Sequence, residues 1–371
     1  MKRWLCGALI FLTLTGSVSA VSDTPETSAG AAALLHADTG TLLYAENADA
    51  PMGIASTTKI MTALVVIEHC DLDDPVKILP EDTDVEGSSM YLQAGETCTV
   101  EELLYGLMLA SGNDAALALA RYCGGTVEGF VELMNQKAAE LGLTQTHFCN
   151  PHGLDAEGHV STAKELGLLA CHAMENNTFR EIVSTNDITI KNLTYVNHNK
   201  LLRTYDGCIG VKTGYTEACG RILVSCAERD GTRFVCVTIS DPDDWTDHAA
   251  LLDWAFENWE YREITASYEL SVLSGTEPLC AAEAIPARLL LRRGEQPTLR
   301  AELPRFLFAP LRKGETIGTL TATSPDGLSV QTPLICRSDV PADVSMCLTP
   351  MERMQRIWRL AGHGMFAYHI H

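Results

Sequence analysis

The chain has 371 residues, 46% of them hydrophobic and 20% charged, so it can bury a sizeable core, and its length suggests about two domains rather than a disordered segment. Its 27 Lys and Arg face 48 Asp and Glu, a formal charge of −21, which argues against nucleic acid as a partner because binding phosphates depends on cations. None of the 13 cysteines stands at C-x-x-C spacing, so a zinc site or a thioredoxin-like motif is unsupported; with several, such as Cys226 and Cys236, in apolar runs, the cysteines read as buried thiols ahead of the alternative of disulfides.

Lys2 and Arg3, the apolar run Trp4 to Leu14 and the small residues Val18-Ser19-Ala20 predict a cleaved secretory signal over residues 1–20. Its loss would leave 25 cations against 48 acids, a formal charge of −23. The expected location is outside the cell or in its envelope. A Ser/Thr/Glu-rich leader spans residues 21–29. Ala31 to Leu35 and Thr41 to Tyr44 flank Asp38-Thr39-Gly40, a hairpin pattern. Lys59 to Glu68 is apolar on nearly every side, which predicts a helix in the middle of a domain. Helical periodicity follows at Glu101 to Leu109, Asp114 to Tyr122 and Val127 to Leu141. Short alternating stretches lie around Ile188 to Leu193. Strands are predicted at Ile222 to Ala227 and Phe234 to Ser240, joined through Arg229-Asp230-Gly231, and a helix at Ala249 to Trp259. The first domain is therefore α+β and covers residues 30–262.

Residues 265–346 change to short strands broken by Gly294-Glu295, Gly314-Glu315 and Pro325-Asp326-Gly327, a small all-β domain. Thr349-Pro350-Met351-Glu352 opens a helix over 349–362 with a capping-box pattern. Met351, Met354, Ile357, Trp358 and Ala361 share one side of it and Arg353, Arg356 and Arg359 the other. A basic amphipathic helix of this kind suits an anionic membrane surface, with docking on its own domain as the alternative.

Ser56-Thr57-Thr58-Lys59 opens the apolar helix, and residues three apart on a helix share a face, which brings the lysine amine to the serine hydroxyl. The lysine serves as base only when neutral. Desolvation and a second cation nearby lower its pKa in that direction, and the helix N-terminus offers N–H groups for an oxyanion. S-x-x-K alone arises by chance about once or twice in a chain of this length. It occurs again at Ser161 to Lys164, where Thr162 and Glu165 form a capping box ahead of Leu166 to Met174. S-x-N also occurs twice, at Ser111-Gly112-Asn113 and Ser184-Thr185-Asn186. Lys212-Thr213-Gly214 is unique and expected by chance in roughly one such chain in ten. Gly214 there permits close approach of a substrate backbone, Lys212 supplies the second cation and Thr213 a hydroxyl for a carboxylate. No histidine stands at H-E-x-x-H or another ligand spacing, so no metal is expected, and His152 reads as a turn residue.

The order S-x-x-K, S-x-N, K-T-G is that of class A β-lactamases and penicillin-binding proteins. With Ala55 to Ala63, Ser111 to Ala115, Asn150-Pro151-His152-Gly153-Leu154, Ser161-Thr162-Ala163, Asn197-His198-Asn199 with Leu201-Leu202, and Gly210 to Thr216, the chain resembles the low-molecular-weight D-alanyl-D-alanine carboxypeptidases of serine peptidase family S11. The resemblance covers about residues 30–260. It implies a penicillin-binding/β-lactamase-like fold and a role in peptidoglycan synthesis and cell shape. It also implies Ser56 as nucleophile, Lys59 as its base and Ser111 as proton donor to the leaving D-alanine. Asn113 would hold the substrate amide, Lys212 and Thr213 the terminal carboxylate, and the backbone N–H groups of Ser56 and Tyr215 the oxyanion beside Gly214. The implied substrate is a peptidoglycan pentapeptide, the implied inhibitors are β-lactams, and no cofactor enters. The alternatives are a D,D-endopeptidase, a β-lactamase, or a non-catalytic penicillin sensor or wall-binding module.

Overall fold

The structure is a computed structural model that describes residues 24–343 together with Met351, Met354, Gln355 and Trp358. The signal and most of the terminal helix expected from the sequence lie outside the described residues; those four residues are helical where the helix is expected. The chain divides into two compact units, one spanning Ser22–Glu257 and the other containing Asn258 and everything after it. The break falls ahead of the boundary at 262 expected from sequence, because Trp259 does not continue a helix but begins a strand of the second unit.

In the first unit β1 (Ala31–His36) and β2 (Thr41–Glu46) form the expected hairpin, closed where Gly40 takes φ +64°. A 3-10 turn (Ala55–Thr58) runs into α1 (Lys59–His69). Then come β3 (Pro75–Lys77), α2 (Pro80–Thr83), β4 (Thr97–Thr99) and α3 (Val100–Leu109). Helices α4 (Asn113–Gly124), α5 (Val127–Glu140), α6 (Ala163–Ala173) and α7 (Asn177–Ser184) follow. After the hairpin β5 (Asp187–Ile190) and β6 (Leu193–Val196) stand α8 (Leu201–Thr204), β7 (Cys208–Thr216), β8 (Gly220–Arg229), β9 (Thr232–Ile239) and α9 (Asp244–Asn258).

The main sheet is antiparallel with order β2-β1-β9-β8-β7, so β7 is an edge strand. β1 is buried along its whole length because helices cover both faces of the sheet: Leu35 meets Gly167 of α6, and Phe234 on the opposite face packs edge-on against Phe256 of α9. α1 runs through the interior with Lys59 to Val66 all buried, which is why its sequence carries no polar stripe. The end of the leader is tied down rather than free, since the Ser28 N–H donates to Asp247 Oδ2 (2.7 Å) and Thr27 Oγ1 to Glu46 Oε2 (2.6 Å).

The second unit is all β. β10 (Trp259–Ile264) pairs with β13 (Ala287–Arg292). β11 (Ser267–Leu273), β12 (Leu279–Ala284), β14 (Thr298–Glu302), β15 (Leu307–Phe308), β16 (Thr316–Thr323) and β17 (Ser329–Cys336) form a sheet ordered β14-β16-β17-β12-β11-β15. Alternation along β12 buries Cys280, Ala282 and Ala284 against Leu320, Leu334 and Cys336.

Candidate active site

Ser56 sits in the 3-10 turn, not in the α-helix proper, and this sharpens the geometry: with three residues per turn, positions 56 and 59 eclipse. Lys59 Nζ lies 3.0 Å from Ser56 Oγ. The turn is held from beneath. Thr58 Oγ1 donates to Ala55 O (2.8 Å) and Thr57 Oγ1 to Ile54 O (2.5 Å), while Ala55 takes φ +42°. His159 supports Thr58: its Nδ1 accepts from the Cys149 N–H (3.0 Å), which leaves Nε2 to donate to Thr58 Oγ1 at 2.7 Å. Burial pushes the His159 pKa down to about 4 and so keeps this tautomer neutral.

Lys59 is fully buried. Its amine has three acceptors, Ser56 Oγ, Asn113 Oδ1 (2.7 Å) and His152 O (2.5 Å). As an ammonium it donates to all three; as a neutral amine it keeps two donations and turns its lone pair on the Ser56 hydroxyl. Burial first, and the Lys212 charge second, lower its pKa well below the ordinary lysine value, so the neutral form is accessible. The His152 carbonyl is a contact that sequence reading missed. Its loop is shaped by Asn150, which accepts from the Gly153 N–H (2.7 Å) and donates to Leu154 O (2.9 Å), and by Thr62, which donates to Pro151 O (2.6 Å). Gly153 is required there: at φ +91° a Cβ would lie 2.0 Å from Ala55 O.

Ser111 takes φ +59°, and its Oγ accepts from Lys212 Nζ at 3.1 Å; the amine also donates to Thr213 O (2.9 Å). Burial of Lys212 pulls its pKa down to about 7. Asn113 has both ends of its amide engaged, Oδ1 by Lys59 and Nδ2 on Glu86 O (2.7 Å), which leaves one N–H for a substrate. Asp114 next to it is buried and accepts from Ser89 Oγ (2.6 Å) and the Met90 and Leu92 N–H groups (3.0 and 3.1 Å), fixing the loop above the cleft. β7 passes so close to the nucleophile turn that a Cβ on Gly214 would lie 3.2 Å from Ser56 N. The resulting cleft of about 490 Å³ is lined by Ser56, Ser111, Thr213, Gly214 and Tyr215 together with His198. The Tyr215 side chain is largely exposed. Arg221, also on the cleft wall, is held by Asp244 at 2.6 Å. Position alone gave no signal for that ion pair, because its partners are 23 residues apart.

The rival motifs end elsewhere. Thr162 caps α6 as expected, accepting from the Glu165 N–H (3.1 Å), but the Glu165 carboxylate does not return to the cap. It binds the Gln145 N–H (3.0 Å) and Thr146 Oγ1 (2.6 Å) instead, so the capping box is only half formed. Ser161 Oγ meets Thr146 Oγ1 (2.7 Å) and Lys164 Nζ meets Asp49 (3.1 Å), so these two form no dyad. Ser184 closes α7 with its hydroxyl on Glu181 O. Among the described residues no group of three or more His, Cys, Asp or Glu could hold a metal.

A serine in bonding distance of a buried lysine, with a second Ser–Lys contact across the cleft on an antiparallel sheet backed by helices, defines a serine acyl-transfer enzyme. The D-alanyl-D-alanine carboxypeptidase family, peptidase S11, matches residues 18–243, and the chain belongs to it. The D-alanyl-D-alanine carboxypeptidase DacF of Bacillus subtilis is 32% identical over 369 residues, covering 92% of this chain and 95% of that protein. DacC of Escherichia coli is 32% identical, covering 86% of each. Among solved structures, penicillin binding protein 5 of Haemophilus influenzae superposes with a TM-score of 0.68 at 29% identity, over 85% of this chain and 98% of that one.

Proposed function

We propose that the protein is a serine-type D-Ala-D-Ala carboxypeptidase that removes the terminal D-alanine from peptidoglycan stem peptides. The observation that carries this reading is Ser56 Oγ at 3.0 Å from the amine of a fully buried lysine. Neutral Lys59 takes the Ser56 proton as Oγ attacks the penultimate D-alanine carbonyl. The Ser56 and Tyr215 N–H groups face the developing oxyanion, the latter from an edge strand whose alternate backbone groups are free of the sheet. Lys212 and Thr213 read the terminal carboxylate. As the C–N bond breaks, Ser111 passes a proton to the departing amine and is resupplied by Lys212, which its hydroxyl touches. Lys59 then releases the proton it took and Lys212 regains one through solvent. Neutral Lys59 again serves as base while water cleaves the Ser56 ester, and Ser56 Oγ recovers its proton. A β-lactam, whose amide imitates the D-Ala-D-Ala end, leaves a longer-lived ester at the same oxygen.

Export through residues 1–20 and contact of the terminal helix with an anionic membrane face belong to the same proposal. The charge segregation of the sequence and the exposed Met351, Met354 and Trp358 support the second of these. The test incubates the protein with penicillin and with a pentapeptide ending in D-Ala-D-Ala. The expected result is the mass of one bound drug and released D-alanine, both absent in Ser56→Ala. Wild type that shows neither would overturn the activity, and a Ser56→Ala protein that still gains the drug's mass would move the nucleophile elsewhere. Sedimentation of the full chain with phosphatidylglycerol vesicles, but not after removal of residues 349–371, tests the membrane contact.

A further inference from the structure

The β-rich unit contains a second reactive pair, unrelated to the catalytic cleft. Cys280 on β12 and Cys336 on β17 belong to adjacent antiparallel strands in which Ala282 stands opposite Cys336. Side chains two apart on a strand share a face, so Cys280 lies on the same buried face as Ala282, one diagonal step from Cys336. Both are buried, at 2% and 0% exposure, and both belong to the core that holds the sheet together. Their sulfur atoms are 2.6 Å apart.

Two free thiols do not rest at that separation. Each has a backbone acceptor of its own, Ala281 O for Cys280 (3.5 Å) and Ser338 O for Cys336 (3.1 Å). With the protons turned to those carbonyls, two sulfur lone pairs face one another well inside van der Waals contact. With one proton turned inward, the S–H···S contact is weak and belongs at longer range. The arrangement that removes this contact while keeping the two sulfurs side by side is a covalent one. We propose that Cys280 and Cys336 form a disulfide that staples the terminal β-rich unit across a 56-residue separation.

The chemistry balances as thiol–disulfide exchange. One cysteine thiolate attacks a small-molecule disulfide R–S–S–R and expels R–S⁻, which takes up that cysteine's proton. The second thiolate then attacks the mixed disulfide and expels the other R–S⁻. Two protein thiols are oxidised by two electrons, one R–S–S–R is reduced, and two R–SH leave. The Cys280 pKa is pushed up to about 11 by burial and by the neighbouring Cys336. The thiolate is therefore scarce in the folded unit, and the bond forms while the chain is still folding. Once made, it is shielded from attack by the same burial.

The experiment refolds the full chain from denaturant in a glutathione/glutathione disulfide buffer, traps remaining thiols with iodoacetamide, and maps peptides without reduction. The expected result is a linked peptide pair joining Cys280 to Cys336 that separates on reduction. Recovery of both residues in alkylated form, or of Cys336 linked to a different cysteine such as Cys347, overturns the proposal. A Cys280→Ala/Cys336→Ala variant addresses stability separately. The oxidised wild type should melt several degrees above both its reduced form and this variant, whereas equal melting of oxidised and reduced wild type overturns the stapling role.

Discussion

The chain spells S-x-x-K twice, and the two copies differ in almost everything except spelling. Around Ser56 the tetrad lies at a 3-10 turn that feeds a helix buried along its first two turns, and the fully buried lysine amine bonds to a hydroxyl, an amide oxygen and a backbone carbonyl. Around Ser161 the serine precedes the cap of an amphipathic helix, and the lysine points outward, 41% exposed, to Asp49. Spacing brings an amine and a hydroxyl onto one face; burial decides whether the amine gives up its charge. Only the first copy has a second buried cation across the cleft to push the same way.

The strongest way to break the comparison is to remove each lysine. Lys59→Met should lower penicillin acylation by about 10²–10⁴-fold, the usual range for loss of a positioned base. Lys164→Met should leave it unchanged. Stopped-flow acylation of both variants checks this, and a comparable loss in Lys164→Met would erase the distinction.

Lys212→Gln probes the second cation. It removes a charge from the carboxylate site and should cost on the order of 10²-fold in kcat/KM, the scale of one hydrogen bond to a charged group. The sign of the pH effect follows from the lowered pKa. The Lys212 charge disfavours a proton on Lys59, so its removal raises the Lys59 pKa and moves the acidic limb of the acylation profile to higher pH. An unmoved limb would mean that burial alone keeps Lys59 neutral.

Much of this site was legible in advance because its parts are local. The apolar run after Lys59 gave the helix, Thr162 gave the cap of α6, and Lys212-Thr213-Gly214 stood out as a unique triplet whose glycine allows close backbone approach, whereas the strand that carries it was not read in advance. What escaped depends on contacts between distant residues. His159 supports Thr58 from 101 residues away, and His152 contributes a carbonyl, a group every residue has and no motif records. The boundary at 257/258 was placed late because Trp259 suits a helix end as well as a strand start, and pairing with β13 decides. Asn113 read as a substrate group, yet the fold uses one end of its amide to position Lys59.

Gly153→Ala attacks the seat of the first tetrad rather than its chemistry. A left-handed conformation costs a non-glycine residue about 1–2 kcal/mol, and overpacking adds about 1–3. Since the added Cβ would meet Ala55 O at 2.0 Å, the turn carrying Ser56 must shift. A lower melting temperature together with slower acylation is expected. A lower melting temperature without any effect on acylation would show that the turn tolerates displacement.

The smallest effect belongs to the second tetrad. Ser161 is buried and its hydroxyl meets Thr146, so Ser161→Ala should cost about 1 kcal/mol, the net worth of one neutral hydrogen bond. Lys164 and Asp49 are both well exposed, and an ion pair of that kind contributes well under 1 kcal/mol, so Lys164→Ala should leave chemical denaturation nearly unmoved. Acylation should match wild type in both. The two variants therefore separate a stability cost from a catalytic one within a single tetrad. If Ser161→Ala slowed acylation more than its loss of stability explains, the second copy would have to be joined to the site through the Met52–Ser161 bridge, which leads back along the chain toward Ile54 and the nucleophile turn.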